Sequence, residues 1–417
     1  MTWKRILGFV LFAGAFFSWG FLSYRHQFFP FFLIRTAATE ADFVYETAEP
    51  YPRSKQLDLV KSLPYVHATF DPRQNDLGVI TAPSAASAGY NFYNSWQDSN
   101  AYLMDMRGTV LHTWSYDFRD QDWHHAELLP NGDILVVLRG SGVAKLDKDS
   151  KLLWHYAGPA HHDVWVHDNG DIFIISGETA HVPEIHPVLD IFSDTIAVLS
   201  PDGQRKSEFS LLQVLQDSPY RYLLPSFAQD QFPDEVKALD ILHTNHVEVF
   251  DGGKEHLWPL YKRGNILVSM KHINAIAILD GETKEILWLW GPTNLSLQHH
   301  PTVLESGNIL LFDNGIQRSR IIEIEPQSGR IVWKYQRRDT FYSKWGGSVQ
   351  RLRNGNTLIT NTNSGRAIEV TPQGETVWEF ANPKVFKGGN RVNIWRMTRY
   401  EGSEPNFPKL LVMPGTP

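Results

Sequence analysis

LQHHPTVLESGNILLFDNG, residues 297–315, joins two short apolar runs across Ser-Gly-Asn, with two adjacent histidines at the head of the first run. Apolar runs of this length meeting at a glycine-bearing turn read as a β-hairpin. The segment has cousins. HHAELLPNGDILVVL (124–138), HHDVWVHDNGDIFII (161–175) and GGSVQRLRNGNTLIT (346–360) repeat its layout, and a divergent copy runs from LHTNHVEVF (242–250) to RGNILVS (263–269). A second kind of hairpin falls between them: LMDMRGTVLHTW (103–114), KLDKDSKLLWHY (145–156), VLSPDGQRKSEF (198–209), ILDGETKEILWLW (278–290), EIEPQSGRIVWKY (323–335) and EVTPQGETVWEF (369–380). Most of these carry tryptophan in the second strand. Their starts lie 42–53 residues apart, apart from one gap of 80.

Two hairpins per repeat make a four-stranded sheet, and a period of about 40–50 residues is that of propeller blades. The expected fold is therefore all-β, a six-bladed β-propeller over residues 86–400. GYNFYNSWQDSNAYLMD (89–105) is expected to supply the inner pair of the first blade. The long gap holds an insertion at 207–240, in which Leu211, Leu212, Val214 and Leu215 have the spacing of a short amphipathic helix. Two separate sandwiches are the alternative, and they leave the regular repeat unexplained.

The bulk properties agree with a large all-β domain. The chain has 417 residues, 42% of them apolar and 13% aromatic, which suffices for a buried core. Its net charge is −7, and no basic cluster follows the N-terminus, so no nucleic-acid partner is expected. There is no cysteine, which excludes disulfides, thiolate catalysis and cysteine-based zinc sites. Ahead of the repeats, Lys4 and Arg5 precede an uncharged run from Ile6 to Tyr24, long enough as a helix to span roughly 28 Å. The expected organisation is a cytoplasmic N-terminus (1–5), a transmembrane signal anchor (6–24), a membrane-proximal stalk (25–85), the propeller, and a C-terminal tail (401–417). The leading basic residues put the propeller on the periplasmic or extracytoplasmic side of the cell membrane. A cleaved signal peptide is the rival, but the run exceeds a usual h-region and no A-x-A site follows it. The aromatic residues of FFPFF (28–32) fit the membrane interface.

In a propeller the innermost strands line the central channel. The histidines that open the first hairpins, His124–His125, His161–His162, His243 with His246, and His299–His300, come from four blades, and pseudo-symmetry aims them at one point on the axis. A lone histidine at a strand start is more often a turn cap or an inter-blade contact; four in register favour a site. His155, His167, His181, His186, His256 and His272 lack this registration and are read as surface or packing residues. Converging imidazoles serve two chemistries. One is ligation of a divalent transition metal, with His125, His162, His243 and His299 as the ligand ring. The other is nucleophilic transfer, needing no cofactor, in which a neutral imidazole attacks an electrophile. Arg318 and Arg320 follow the FDNG turn, where Arg320 is a candidate substrate-anion contact against the commoner paired state, and Asp313 and Asn314 are read as shaping that turn.

The stretches DILHTNHVEVF (240–250), NILVSMKHINAIAILDGETKEILWLWG (265–291), LQHHPTVLESGNILLFDNG and GSVQRLRNGNTLITNTNSGRAIEVTPQGETVWEF (347–380) resemble the arylsulfotransferase family of six-bladed propellers, as does GYNFYNSWQDSNAYLMDMRGTVLHTW (89–114). The resemblance implies transfer of a sulfuryl group from an aryl sulfate to a phenolic acceptor, through a histidine intermediate and without a nucleotide sulfate. Carried over by motif, the nucleophile is His299. His243 and Asn245 match a His-x-Asn pair that holds the sulfate and handles the phenolic proton. Lys271 stands where the family has an arginine, and either His125 or His162 is the remaining active-site histidine. His300 and His246 stand where the family has acidic and small or polar residues, and they are candidate substrate contacts. These exchanges make the site richer in imidazole and poorer in its anion clamp, since lysine lacks a bidentate fork. Three readings follow: sulfuryl transfer, a metal-binding propeller, and a non-catalytic subunit of a membrane complex.

Overall fold

The computed structural model describes residues 75–412 except 82–84, 96–97, 120, 230, 233–235, 237, 338–340, 386–390 and 405–406. The expected anchor at 6–24, the FFPFF segment and most of the stalk lie outside the described residues. Among the described residues no helix is long and apolar enough to cross a membrane.

Six sheets surround a channel. Blade I runs outward from the innermost strand Arg396–Tyr400 through Tyr90–Ser95 and Asp98–Met104 to Val110–Ser115. Blade II runs outward from Trp123–Leu128 through Ile134–Leu138 and Gly142–Leu146 to Leu152–Ala157. In blade III the order from the channel is Val164–Val166, Ile172–Ala180, Asp190–Leu199 and Arg205–Ser210. In blade IV it is Thr244–Val249, Ile266–Met270, Ala275–Leu279 and Ile286–Trp290. Blade V begins at the channel with His299–Val303 and continues through Ile309–Asp313 and Arg320–Glu325 to Arg330–Tyr335. Blade VI begins with Ser348–Arg351 and continues through Thr357–Asn361 and Arg366–Val370 to Thr376–Ala381. The six-bladed propeller read from the repeat is the fold.

The sequence dictates the inner hairpins through one recurring residue. Gly132, Gly170, Gly264, Gly307 and Gly355 turn at φ of 82–87°, a left-handed conformation that a side chain disfavours. Beyond four of these turns the second strand is buried on both faces, as in the wholly apolar ILVVL of blade II, because sheets pack against it from both sides. The outermost strands alternate instead, as LLWHYA does, with one face in solvent.

The first blade corrects one expectation. GYNFYNSWQDSNAYLMD supplies its second and third strands, and the innermost strand is Arg396–Tyr400, paired antiparallel to Tyr90–Ser95. The chain's last strand thereby closes the ring on its first blade. A second closure runs the other way: Gly78–Thr81 adds an outer strand to blade VI, against Thr376–Ala381.

The insertion forms the expected helix, Leu211–Gln216, with the Ser210 side chain capping Gln213 N–H and Leu211, Leu212 and Leu215 buried. Those leucines join Ile175, Val182, Ile185 and Phe227 in one buried apolar cluster. The segment returns as Ala238–Asp240, parallel to Asp190–Leu199, and so delivers Asp240 to the head of blade IV.

Candidate functional site

The histidine pairs do not meet at one point. Three of the four split between two layers, and β-bulges cause the split; His161 and His162 stay together. Register shifts occur at Trp123/His125, Thr244/His246 and His299/Thr302, all at the head of an innermost strand. An extra residue there breaks the two-residue alternation and aims neighbouring side chains at different heights. The backbone carries strain beside two of these bulges, with φ of 48° at His243 and 50° at His300, and also at His162, φ 58°, at the head of blade III.

The upper layer, at the strand-head mouth, gathers His124, His161, His162, His243, His272 and His299. Ring centroids lie 4.7 Å apart for His124–His162, 4.6 Å for His162–His243 and 4.7 Å for His243–His272. Trp395 closes one side at 4.1 Å from His124. His272, read from sequence as a surface or packing residue, is buried against His243; no periodic signal marked it, since it sits in a turn and not at a strand head.

His299 is fixed by its surroundings. Asn314 Nδ2 donates to the carbonyls of Ser343 and Gly346, which turns Oδ1 toward the imidazole. His299 Nδ1 lies 2.7 Å from that Oδ1 and 3.0 Å from the Leu297 carbonyl. Both oxygens only accept, so Nδ1 carries the proton and Nε2 the lone pair. Burial, then the nearby Lys271 ammonium, pushes the His299 pKa down to about 3. The ring is neutral at pH 7. Lys271 itself is 2% exposed, and its Nζ lies 5.8 Å from the Trp345 ring centroid.

The same reasoning assigns the neighbours. His243 Nδ1 lies 2.5 Å from Asp240 Oδ2, and His272 Nδ1 lies 2.7 Å from the Asp240 carbonyl, so each donates from Nδ1. His124 Nδ1 accepts from the backbone N–H of His162. His161 Nε2 faces the Ser176 carbonyl and Asp194, and its Nδ1 lies 2.7 Å from His162 Nδ1, which makes His162 the donor of that pair. Burial holds His124 and His162 well below the usual histidine range. Asn245 has its Nδ2 committed to the Gln298 carbonyl at 2.8 Å, one residue before His299, so it positions that strand head. Gln298 in turn bonds Met270 and Ala275, tying blade V to blade IV beside Lys271.

The lower layer holds His125, His246, His300, Asp163 and Arg396. Asp163 is the hub: His246 Nδ1 at 2.6 Å, Arg396 at 3.0 Å and His125 at 3.6 Å surround its carboxylate. Although burial opposes it, this company, Arg396 first, keeps Asp163 far below the usual carboxylate range. His246 is shifted up: burial pulls its pKa down, but Asp163 outweighs burial. His125 and His300 are shifted down by burial first and Arg396 second. His246, His300, Arg396, Glu127 and Glu248 floor a cavity of about 1360 Å³ that opens at the opposite mouth.

Of the sequence candidates, the upper layer unites His299, His243, Asn245, Lys271 and His162. His125, His246 and His300 belong to the lower layer. Arg320 sits outside both, with Nε on Asp313 at 2.7 Å and Nη2 on the Asn294 carbonyl at 2.5 Å. Asp240 and the tautomer-fixing role of Asn314 went unread in the sequence.

The sequence profile of the family described as arylsulfotransferase (ASST) matches residues 125–383, more than half of the chain. No curated protein matches it. Among solved structures, a protein of unknown function from Bacteroides caccae is similar at 12% identity and a TM-score of 0.49, over 75% of this chain and 99% of that one. A streptogramin B lyase is similar at 13% identity and a TM-score of 0.46, over 80% and 96%. A virginiamycin B lyase from Staphylococcus aureus is similar at 12% identity and a TM-score of 0.41, over 74% and 89%.

Proposed function

The chain belongs to the arylsulfotransferase family, and on that premise we propose that it moves a sulfuryl group from an aryl sulfate to a phenol through His299. One observation carries the reading: a buried, neutral imidazole held in a single tautomer by Asn314 and the Leu297 carbonyl, with the buried Lys271 ammonium near enough to lower its pKa. In the first half-reaction Nε2 attacks sulfur, the S–O bond breaks, and its electron pair leaves with the phenolate. The sulfo-imidazolium keeps its Nδ1 proton on Leu297 and Asn314, and Lys271 offsets the charge developing on the sulfuryl oxygens and phenolate. In the second half His243 Nε2 takes the proton of the acceptor phenol, the phenoxide attacks sulfur, and the S–N electron pair returns to His299. Asp240 stabilises the resulting imidazolium of His243, as a carboxylate does in acyl-transfer triads. His162 packs against His243 and limits its rotation. No cofactor takes part in these steps.

The test is intact-mass analysis after incubation with a nitrophenyl sulfate. Wild type should gain one sulfuryl group, and His299→Ala should gain none; an adduct that persists in His299→Ala sinks the reading. The uncharged run at 6–24 supports a further part of it, a propeller tethered outside the cytoplasmic membrane. Extraction of the full chain from membranes by carbonate alone would contradict that tether.

A further inference from the structure

Asp240, His243 and His272 place three donor atoms within 4.8 Å of one another, the one such group among the described residues. All three are buried. Asp240 organises the other two, its carboxylate holding His243 Nδ1 and its main-chain carbonyl holding His272 Nδ1. With Nδ1 anchored on a carbonyl, His272 keeps its lone pair on Nε2, which is how metal-ligating histidines are usually braced. His162 packs 4.6 Å from His243, so the surroundings add a further imidazole on that side.

We propose that Asp240, His243 and His272 bind a divalent transition metal, and that the donor set, one carboxylate and two imidazoles, suits zinc. On entry the ion takes the place of the proton between Asp240 Oδ2 and His243 Nδ1, and that proton moves to His243 Nε2, so the ring ligates as a neutral imidazole. The pair opens from 2.5 Å to the roughly 3.4 Å between neighbouring ligands of a tetrahedral ion. His272 ligates through Nε2. This site stands independently of the transfer reading. Its consequence rests on that reading: an ion on His243 removes the group that accepts the phenolic proton, so zinc inhibits transfer.

The experiment is zinc titration by calorimetry of the untagged, chelator-stripped full chain, in two buffers of different ionisation enthalpy. One zinc per chain should bind with little net release of protons, because the His243 proton stays on the ring, and His272→Ala should weaken binding by tenfold or more. Asp240→Asn, nearly isosteric, serves as the second variant should His272→Ala fail to fold, and it too should weaken binding. The exposed His256→Ala should leave binding unchanged. Absence of zinc binding in wild type, or equal affinity in wild type and the site variants, overturns the inference. The sulfuryl adduct measured on metal-free protein is a separate readout, so the site and the transfer reading fail separately.

Discussion

Asn314, together with the Leu297 carbonyl, decides which nitrogen of His299 reacts. Its amide is spent on the Ser343 and Gly346 carbonyls, and that fixes the oxygen toward Nδ1. Asn314→Ala removes this acceptor and leaves two buried carbonyls without their donor. Stability should fall by about 1–3 kcal/mol. Formation of the sulfuryl adduct should slow by about 10²–10⁴-fold, the range seen when the group that orients a catalytic imidazole is lost. Rapid-quench mass analysis of folded protein checks this, and an unchanged adduct rate would remove Asn314 from the site. The pairs of histidines were legible in the sequence because they recur at strand heads. Asn314, His272 and Asp240 were not. They reach the site from a turn after the second strand, a turn between strands and the returning insertion, where no periodicity marks a side chain's direction.

At the scale of the element, the outer hairpins are latched to their neighbours by their tryptophans. The indole N–H of Trp114 donates to the Gly132 carbonyl of blade II, and that of Trp154 to Pro201 of blade III. Trp333 reaches Pro372 of blade VI, and Trp378 reaches Met106 of blade I at 3.1 Å, across the seam where the ring closes. The seam also holds a buried ion pair, Arg399 with Glu369, and Arg399 stacks on Trp378. Trp378→Phe keeps an aromatic ring in this place but strands a carbonyl. The expected loss is about 1–3 kcal/mol, read as a lower denaturant midpoint with unchanged m-value; a change of under about 0.5 kcal/mol would mean that packing alone holds the seam. Repeats of Gly turns and Trp hairpins made the blades legible from sequence. The strand order of blade I was not, because its innermost strand is supplied from some three hundred residues away and closure over such a distance leaves no local pattern. The bulges were hidden for a related reason: they show only in the register between strands.

Across the whole molecule the channel concentrates buried histidines, and Asp163 joins four blades through its own strand, Arg396, His125 and His246. These groups set how stability depends on pH. His124, His125, His162, His299 and His300 all have folded pKa values below the ordinary histidine value, with burial the first cause in each. Their contribution is fully present above about pH 6.5, the unfolded value, and is lost as pH falls toward the folded values. For His299 that window runs down to about 3. Asp163, held low, adds a loss that begins only below about pH 4. His246 runs the other way: its raised folded value gives stability present below about pH 6.5 and lost as pH rises through that value. Five depressed channel histidines, with His186 a sixth elsewhere in the fold, oppose one raised, so the unfolded chain binds the excess of protons on acidification. Each depressed histidine contributes a slope of up to about 1.4 kcal/mol per pH unit in its window. The melting temperature should therefore fall steadily from pH 7 to pH 5. A temperature series by circular dichroism at fixed ionic strength measures it. A melting temperature that holds level or rises over that interval would mean that the channel imidazoles are already charged in the fold, and a neutral His299 nucleophile would fall with it.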